Sequence, residues 1–324
     1  MKRRHFIAGA GALATVGAGA YLASAQRSFA ASLEKDAAAE ALYPPLGKIY
    51  LVDGQQVHAT DEGSGRPVVM IHGASGNLRD FTFNITGPLS QSYRVIAMDR
   101  PGFGYSTRAT DDQAWSPFAQ AAQLRAATKM MGIERPIIVG HSWGATVALA
   151  WALDAPEEVA GVVSASGAMM PWNGIVDFLG AIGVGEFGAR RYSERLSKTA
   201  EEGGIANFIA RAFRPQSPPP GYIDYVGGEL AVREKTLRAN TQDFANLQRA
   251  MRRLEPRYDE LTTPLEVIHG DRDWLLSYER HALGMADRAP HANLTKLTGV
   301  GHMAHHASPQ ALADAIGRIA EATA

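Results

Sequence analysis

The sequence predicts an α/β protein with a mostly parallel central sheet, helices on both faces and an inserted helical cap. Short continuous apolar runs, such as Pro67 to Ile71, suit strands that are buried on both faces of a parallel sheet. Helical segments separate these runs, as expected of strands joined by crossover helices. Only the stretch 167–262 breaks this alternation, and a structureless loop of that length is uncommon in a compact domain. We therefore expect 48–166 and 263–324 to form the core and 167–262 to form the cap.

The elements can be assigned in chain order. Two apolar segments flank Asp53-Gly54, a pair that is typical of a tight hairpin turn. The sequence predicts buried strands in the runs PVVMIHG, YRVIAMD, PIIVGHS, VAGVVSAS, PLEVIHGD and NLTKLTG. It predicts helices over 80–90, 117–131, 143–154, 229–254 and 308–322. The last of these has Ser308 as its cap and Pro309 at its first position.

Composition excludes several functional classes. The chain has 324 residues, of which 46% are hydrophobic and 20% charged, as in ordinary globular proteins. Its formal net charge of −1 gives no general attraction for nucleic acid. It contains no cysteine, which excludes disulfides, thiolate nucleophiles and thiolate metal sites. We expect a small-molecule substrate rather than nucleic acid as the partner.

The first 30 residues have the features of a targeting segment. Lys2 and the run Arg3–Ile7 precede an uncharged stretch that ends at Gln26, and Ala23–Ala25 has the small-x-small form of a cleavage site. The basic run is similar to the core of a twin-arginine export signal. We expect 1–30 to direct export, to the periplasm, with 31–47 as a linker. The alternative is an uncleaved anchor, since about 19 apolar residues can just span a bilayer, and only then would a membrane be a partner.

The most informative motif is Gly-His-Ser-Trp-Gly, with Ser142 between two glycines. An apolar strand segment precedes it and an Ala-rich helical segment follows, which is the setting of a nucleophile elbow. The alternative is a tight strand-to-helix turn in which the glycines merely relieve crowding. A serine nucleophile needs a base, and the base needs an orienting group. Downstream strand ends carry Asp271, Asp273 and His302, in the chain order that such a fold requires.

Five motifs together resemble the α/β-hydrolase fold, in the broad group of capped serine hydrolases that includes esterases, haloperoxidase-like enzymes and proline iminopeptidases. They are VVMIHGASGN with His72, VIAMDRPGFGYS with Asp99, VGHSWGA with Ser142, VIHGDRDWLL with Asp273 and GVGHMAHHASP with His302. Their order over residues 48–322 is specific for this fold and barely specific for a substrate.

The resemblance implies a role for each site residue. Ser142 would be the nucleophile, His302 the base and Asp273 the acid, with Asp271 holding the turn. The oxyanion donors would be the backbone N–H groups of Ala74 and Trp143. His305 and His306 are then pocket or loop residues, His141 is a packing residue, and five cap aromatics are candidate pocket walls. These are Trp172, Phe178, Phe187, Tyr222 and Tyr225.

No cofactor and no metal are expected. The three histidines near the chain end have no clustered carboxylate beside them in the sequence. The segment from Gly102 to Gly104 lacks the third glycine of a dinucleotide fingerprint, and no phosphate-binding lysine motif occurs. The predicted activity is hydrolysis of an ester-like bond in a small, apolar substrate through an acyl-enzyme. Carbon–carbon bond hydrolysis, amide or peptide hydrolysis, perhydrolysis and non-catalytic ligand binding remain as alternatives.

Overall fold

A computed structural model of the protein describes residues 32–171 and 204–324. The chain divides into two units, Met1–Pro44 and Pro45–Ala324. The larger unit is built on one eight-stranded sheet. Its strands are β1 Lys48–Val52, β2 Gln55–Ala59, β3 Pro67–Ile71, β4 Arg94–Met98, β5 Ile137–His141, β6 Gly161–Ala165, β7 Leu265–Gly270 and β8 Asn293–Leu297.

The strand order is β1-β2-β4-β3-β5-β6-β7-β8, and all pairs from β4 to β8 are parallel. The antiparallel hairpin β1-β2 covers the β4 edge. Its turn residues Asp53 and Gly54 have φ of 47° and 78°, the left-handed values that a two-residue hairpin turn of this hand requires. The predicted parallel sheet and its hairpin are confirmed.

Helices cover both faces of the sheet and form the described part of the cap, 204–262. They are α1 Arg79–Thr82, α2 Thr86–Leu89, α3 Pro117–Met130, α4 Trp143–Asp154, α5 Ile205–Ala212, α6 Tyr222–Val226, α7 Gly228–Ala231, α8 Glu234–Leu254, α9 Gly284–Arg288, α10 Ala304–Ala307 and α11 Pro309–Ala322. Two 3₁₀-helical segments lie at Pro156–Glu158 and Glu255–Glu260, and a π-helical segment lies at Glu279–Leu283.

Two predicted helices are each divided in the structure. The helix expected over 80–90 is instead α1 followed by α2, because Pro88 lacks an N–H and is tolerated only in a first turn. The helix expected over 229–254 breaks between α7 and α8 at Arg233, whose backbone is extended. The buried guanidinium of Arg233 donates hydrogen bonds to the carbonyl oxygens of Leu230 and Gly104, and so ties this break to the core.

The core lies on both sides of the sheet. Along β3, Val69 and Ile71 pack on the side of α3, α4 and α8, whereas Val68 and Met70 pack on the side of α11. This alternation between two buried faces explains why the strand reads as a continuous apolar run rather than an alternating one.

Residues 32–42, inside the predicted linker, are helical. Their sequence is rich in Ala, Leu and Glu, which have high helix propensity, so local propensity accounts for a helix that the linker prediction did not include. The predicted export segment 1–30 and the cap aromatics Trp172, Phe178 and Phe187 lie outside the described residues. Within 32–171 and 204–324, no helix has both the length and the apolar character needed to span a bilayer.

Candidate active site

The turn between β5 and α4 holds Ser142 in an unusual backbone conformation. Its φ of 52° and ψ of −117° lie outside the regions that ordinary L-residues occupy. The two flanking glycines are there for steric reasons. A Cβ on Gly140 would lie 2.4 Å from the backbone of Ala145, and a Cβ on Gly144 would lie 2.0 Å from the carbonyl oxygen of Ile71. The motif therefore brings α4 directly against the sheet with the serine at the apex of the turn.

Asp273 and His302 come together at the carboxyl ends of β7 and β8. His302 Nδ1 lies 2.8 Å from Asp273 Oδ2, and both side chains are buried. The other carboxylate oxygen of Asp273 accepts the backbone N–H groups of Leu275 and Leu276 at 2.9 and 3.0 Å. These bonds fix the carboxylate, and the carboxylate fixes the orientation of the imidazole.

The environment keeps Asp273 ionised. Burial by itself raises the pKa of this carboxyl group, but the neighbouring imidazoles of His302 and His269 outweigh burial and hold the pKa of Asp273 well below 3.8. His269 Nε2 lies 3.2 Å from Asp273 Oδ2 and also contacts the carbonyl oxygen of Leu276 at 2.8 Å. The sequence analysis missed His269 as a site residue, although it stands within the same strand-end motif as the acid.

His141, the residue before Ser142, contacts His302. The ring of His141 lies 5.0 Å from the ring of His302, and its Nε2 lies 3.3 Å from the His302 carbonyl oxygen. Among the described contacts there is no hydrogen bond between the Ser142 hydroxyl and the His302 ring. Catalytic hydrogen bonds of this kind are often long without substrate and tighten when it binds.

The loop after β3 lies against Ser142. A Cβ on Gly73 would lie 3.0 Å from Ser142 Cβ. In the described part of the chain, the backbone N–H groups of Ala74 and Trp143 donate no hydrogen bond. The Trp143 group is one of the free donors at the start of α4, where the helix dipole also favours negative charge. The loop with Ala74 and the turn with Trp143 thus each have a backbone N–H without a partner near Ser142.

A buried arginine, Arg100, holds this loop in place, and the sequence analysis missed it. Its guanidinium donates to the carbonyl oxygens of His72 and Gly73 at 3.0 and 3.2 Å. His72 Nδ1 adds a contact of 2.8 Å to the same Gly73 oxygen. Because a trans peptide is planar, a Gly73 carbonyl held toward Arg100 points the Ala74 N–H the opposite way.

The tautomer of His72 is determined by its neighbours. Burial and, secondly, the charge of Arg100 lower the pKa of His72 to about 4, so the ring is neutral at pH 7. Its Nε2 accepts the Arg100 backbone N–H at 2.9 Å, and Nδ1 therefore carries the proton that is donated to Gly73. The ring thus connects the loop after β3 with the segment after β4.

The cap helix α8 completes this support. Arg100 pairs with Asp243 at 2.8 Å, and both side chains are at most 1% exposed. On the same helix, Asn240 accepts the Ser75 N–H at 3.0 Å and donates to the Ser75 hydroxyl at 2.9 Å. Ser75 has a left-handed φ of 57°, so the amide fixes a conformation that is rare for serine. No sequence motif marks Asn240 or Asp243, because both look like ordinary polar positions of an amphipathic helix.

The remaining predicted residues have structural contacts. Asp271 accepts the Gly299 N–H at 2.7 Å and lies 3.5 Å from Lys296, so it holds the loops after β7 and β8 together. Of the described cap aromatics, Tyr225 is half-buried and its hydroxyl lies 3.1 Å from that of Thr82.

Tyr222 belongs to a second buried polar cluster, which contains Asp80, His305, His306 and His141. Asp80 Oδ1 lies 2.6 Å from the Tyr222 hydroxyl and 2.8 Å from His306 Nε2. Asp80 Oδ2 lies 3.1 Å from His305 Nε2 and 3.7 Å from His141 Nδ1. The sequence argument against a metal relied on the lack of a carboxylate near these histidines, and the fold supplies one from α1.

A wide groove lies beside the loop that carries Asp273. Its volume is about 840 Å³, and it is lined by Arg211, Arg214, Pro215, Arg272, Trp274 and Gly299. The two residues that flank Asp273 in sequence both belong to this lining, so the groove borders the site. Trp274 is half exposed, and its indole N–H donates to the Arg211 carbonyl oxygen at 2.9 Å.

Comparisons with known proteins agree with this architecture. A family model described as alpha/beta hydrolase fold matches residues 66–309. The 2-hydroxymuconate semialdehyde hydrolase of Pseudomonas putida is 34% identical over 129 residues, which cover 36% of this chain and 41% of that protein. Epoxide hydrolase B of Mycobacterium tuberculosis (strain ATCC 25618 / H37Rv) is 30% identical over 158 residues, 47% of this chain and 42% of that protein. The chain thus matches less than half the length of each of these relatives.

Among solved structures, a bacterial membrane phospholipase A is similar with a TM-score of 0.66 at 24% identity. The alignment covers 100% of this chain and 99% of that one. At this level of identity the similarity shows the fold alone.

Proposed function

Because the chain belongs to the α/β-hydrolase fold family, we propose that it is a serine hydrolase that cleaves carboxylic ester bonds through an acyl-enzyme. The observation that carries the proposal is the strained Ser142 turn, with a buried Asp273–His302 pair at neighbouring strand ends. Two free backbone N–H groups beside the serine support the same chemistry. Serine at this position, rather than aspartate, argues against the attack by carboxylate that opens an epoxide.

Each residue has one role in the proposed reaction. His302 Nε2 takes the proton of the Ser142 hydroxyl while the serine oxygen attacks the ester carbonyl carbon. The N–H groups of Ala74 and Trp143 bind the oxygen that becomes negative. His302 then gives the proton to the leaving alkoxide, the ester carbon–oxygen bond breaks and the acyl group stays on Ser142. Water activated by His302 releases the acid, and Asp273 stabilises the imidazolium in both steps.

Covalent labelling tests the nucleophile directly. A fluorophosphonate probe should label the wild-type protein and the Ser64→Ala control, in which an exposed serine is changed. It should not label Ser142→Ala. Equal labelling of the wild type and Ser142→Ala, or no labelling of either, would reject the proposed nucleophile.

A panel of p-nitrophenyl esters of increasing chain length tests the reaction. We propose that the ester substrate carries a small apolar acyl group. The panel should also contain an ester with a carboxylate on its acyl chain, since the groove beside the acid loop is lined by Arg211, Arg214 and Arg272. If the protein reacts with the fluorophosphonate but hydrolyses none of these esters, the ester assignment is rejected.

A second candidate function is hydrolysis of a carbon–carbon bond. The observation that favours it is the 34% identity to the P. putida 2-hydroxymuconate semialdehyde hydrolase, limited to 129 residues. Turnover of a dienone acid with no turnover of the ester panel would favour this candidate over the esterase.

A further inference from the structure

We propose that Asp80, His141, His305 and His306 form a site for one divalent transition-metal ion, next to the catalytic residues and separate from them. The side chains come from α1, the residue before the nucleophile and helix α10 after the base. One donor atom each of Asp80, His305 and His306 lies within 4.8 Å of the others, and all three residues are buried. The inference does not depend on the proposed esterase reaction.

The carboxylate–imidazole distances around Asp80 are close to those between neighbouring ligand atoms of a four-coordinate ion. A tetrahedral zinc ion with ligand bonds of 2.0 to 2.1 Å places neighbouring ligand atoms about 3.3 Å apart. The carboxylate oxygens of Asp80 lie 2.8 Å from His306 Nε2, 3.1 Å from His305 Nε2 and 3.7 Å from His141 Nδ1. Oδ1 faces His306, whereas Oδ2 faces His305 and His141, so the Asp80 side chain must turn to present one oxygen to the ion that the three imidazoles share.

Hydrogen-bond accounting at His141 gives an independent reason for a cation. Its Nε2 faces the backbone carbonyl of His302 at 3.3 Å, and a carbonyl can only accept, so Nε2 carries the N–H. Nδ1 of the neutral ring then has a lone pair, is buried and makes no hydrogen bond in the described part of the chain. The nearest carboxylate oxygen, Asp80 Oδ2, is also an acceptor. Asp80 Oδ2 has the ring nitrogen of His305 at 3.1 Å, whereas His141 Nδ1 faces no donor, and a cation between the two acceptors would stabilise both.

The outer contacts of two of the three histidines, His141 and His306, match those of metal-binding histidines. A ligating imidazole usually donates its second N–H to a carbonyl or carboxylate, which fixes the ring. His141 has this bond to the His302 carbonyl, and His306 Nδ1 lies 3.1 Å from the side-chain oxygen of Asn84. Three imidazoles and one carboxylate form a donor set that suits zinc. A closed set of four protein ligands has no open position, so the ion would stabilise the fold rather than react with substrate.

The test is zinc binding by the untagged full chain. Dialysis against a chelator first removes bound metal, and zinc is then added. The wild type and Ser142→Ala should each retain one zinc per chain through gel filtration, measured by elemental mass spectrometry. Zinc at about 100 times its dissociation constant should raise the melting temperature by about 5 °C. Cobalt in place of zinc should give the visible absorption bands of a tetrahedral site.

Variants distinguish zinc bound at this site from zinc bound at the protein surface. Asp80→Asn and His305→Gln should each weaken zinc binding at least about 100-fold, whereas His291→Gln, at an exposed histidine, should not. Cooperative thermal melts identify which variants fold, and His305→Gln decides the question if Asp80→Asn does not fold. Zinc retained equally by the folded variants would mean an adventitious ion only. That result, or a wild type that binds no zinc or cobalt, would overturn the proposal.

Discussion

Asp243→Asn tests whether the cap supports the oxyanion loop. The substitution keeps the size of the side chain and removes the charge that pairs with Arg100 at 2.8 Å and with Arg108 at 2.9 Å. Arg100 is fully buried, and its pKa is lowered to about 10 chiefly by burial, which already disfavours the charged form. Removing one partner of a buried ion pair typically costs about 3–5 kcal/mol. For a unit of this size, that corresponds to a fall in melting temperature of roughly 6–12 °C.

The effect on activity follows from the Gly73 peptide. With Arg100 less firmly held, its bond to the Gly73 carbonyl weakens, and the Ala74 N–H loses its fixed direction. Complete loss of one oxyanion donor costs about 10²–10³ in turnover, so a partial loss should lower kcat by roughly 10- to 100-fold. KM should change little, because the donor acts mainly on the transition state.

The assay is p-nitrophenyl ester turnover well below the melting temperature, together with calorimetric melting of each variant. Asp259→Asn is the matched control, since its carboxylate is 69% exposed and lies 3.8 Å from Arg288; its loss should cost under about 1 kcal/mol. Equal melting temperatures for the Asp243 and Asp259 variants would refute the stabilising role of the buried pair. A lower melting temperature with unchanged kcat would refute its role in orienting the oxyanion donor.

Other consequences can be checked with single variants. Asp273→Asn should lower kcat by about 10⁴-fold because the base loses the group that orients it, whereas Asp271→Asn should stay within about twofold of wild type; similar losses would contradict the choice of acid. Gly144→Ala should destabilise the fold strongly, since the new Cβ would lie 2.0 Å from the Ile71 oxygen, and an unchanged melting temperature would contradict this. Burial raises the pKa of Asp99, but a hydrogen bond from an imidazole outweighs it and holds the pKa below 3.8. The stability that this ionised carboxylate contributes is present above about pH 4 and is lost as the pH falls below it. When the unfolding free energy from urea melts is plotted against pH, Asp99→Asn should therefore flatten the decline at low pH. An unchanged decline would exclude this role.

The sequence predicted the strands and the residues at their ends because both leave local signals. Strands that are buried on both faces read as apolar runs, and the glycines around Ser142 record the close approach of α4 to the sheet. Asp273 and His302 could be predicted as partners because each follows a predicted strand, and parallel strands end at one edge. The breaks in two helices were missed, although Pro88 was a visible signal for one of them.

Contacts between distant segments could not be predicted in the same way. Arg100 and Asp243 pair across 143 positions, and Asp80 meets His305 across 225. Each of these residues is compatible with an exposed position when its neighbours in sequence are considered alone. Only tertiary packing buries them, and burial is what turns an ordinary charged residue into part of a site.

The anchoring of the oxyanion loop to α8 has a consequence for the order of events during folding. A nascent chain contains the complete β3 loop and the nucleophile turn before residue 243 has been synthesised. Strands β1 to β6 can then pair while Arg100 still lacks its partner, whereas β7 and β8, with Asp273 and His302, are synthesised later. Ester turnover should therefore return after most of the secondary structure during refolding, once α8 has docked and β7 and β8 have joined the sheet.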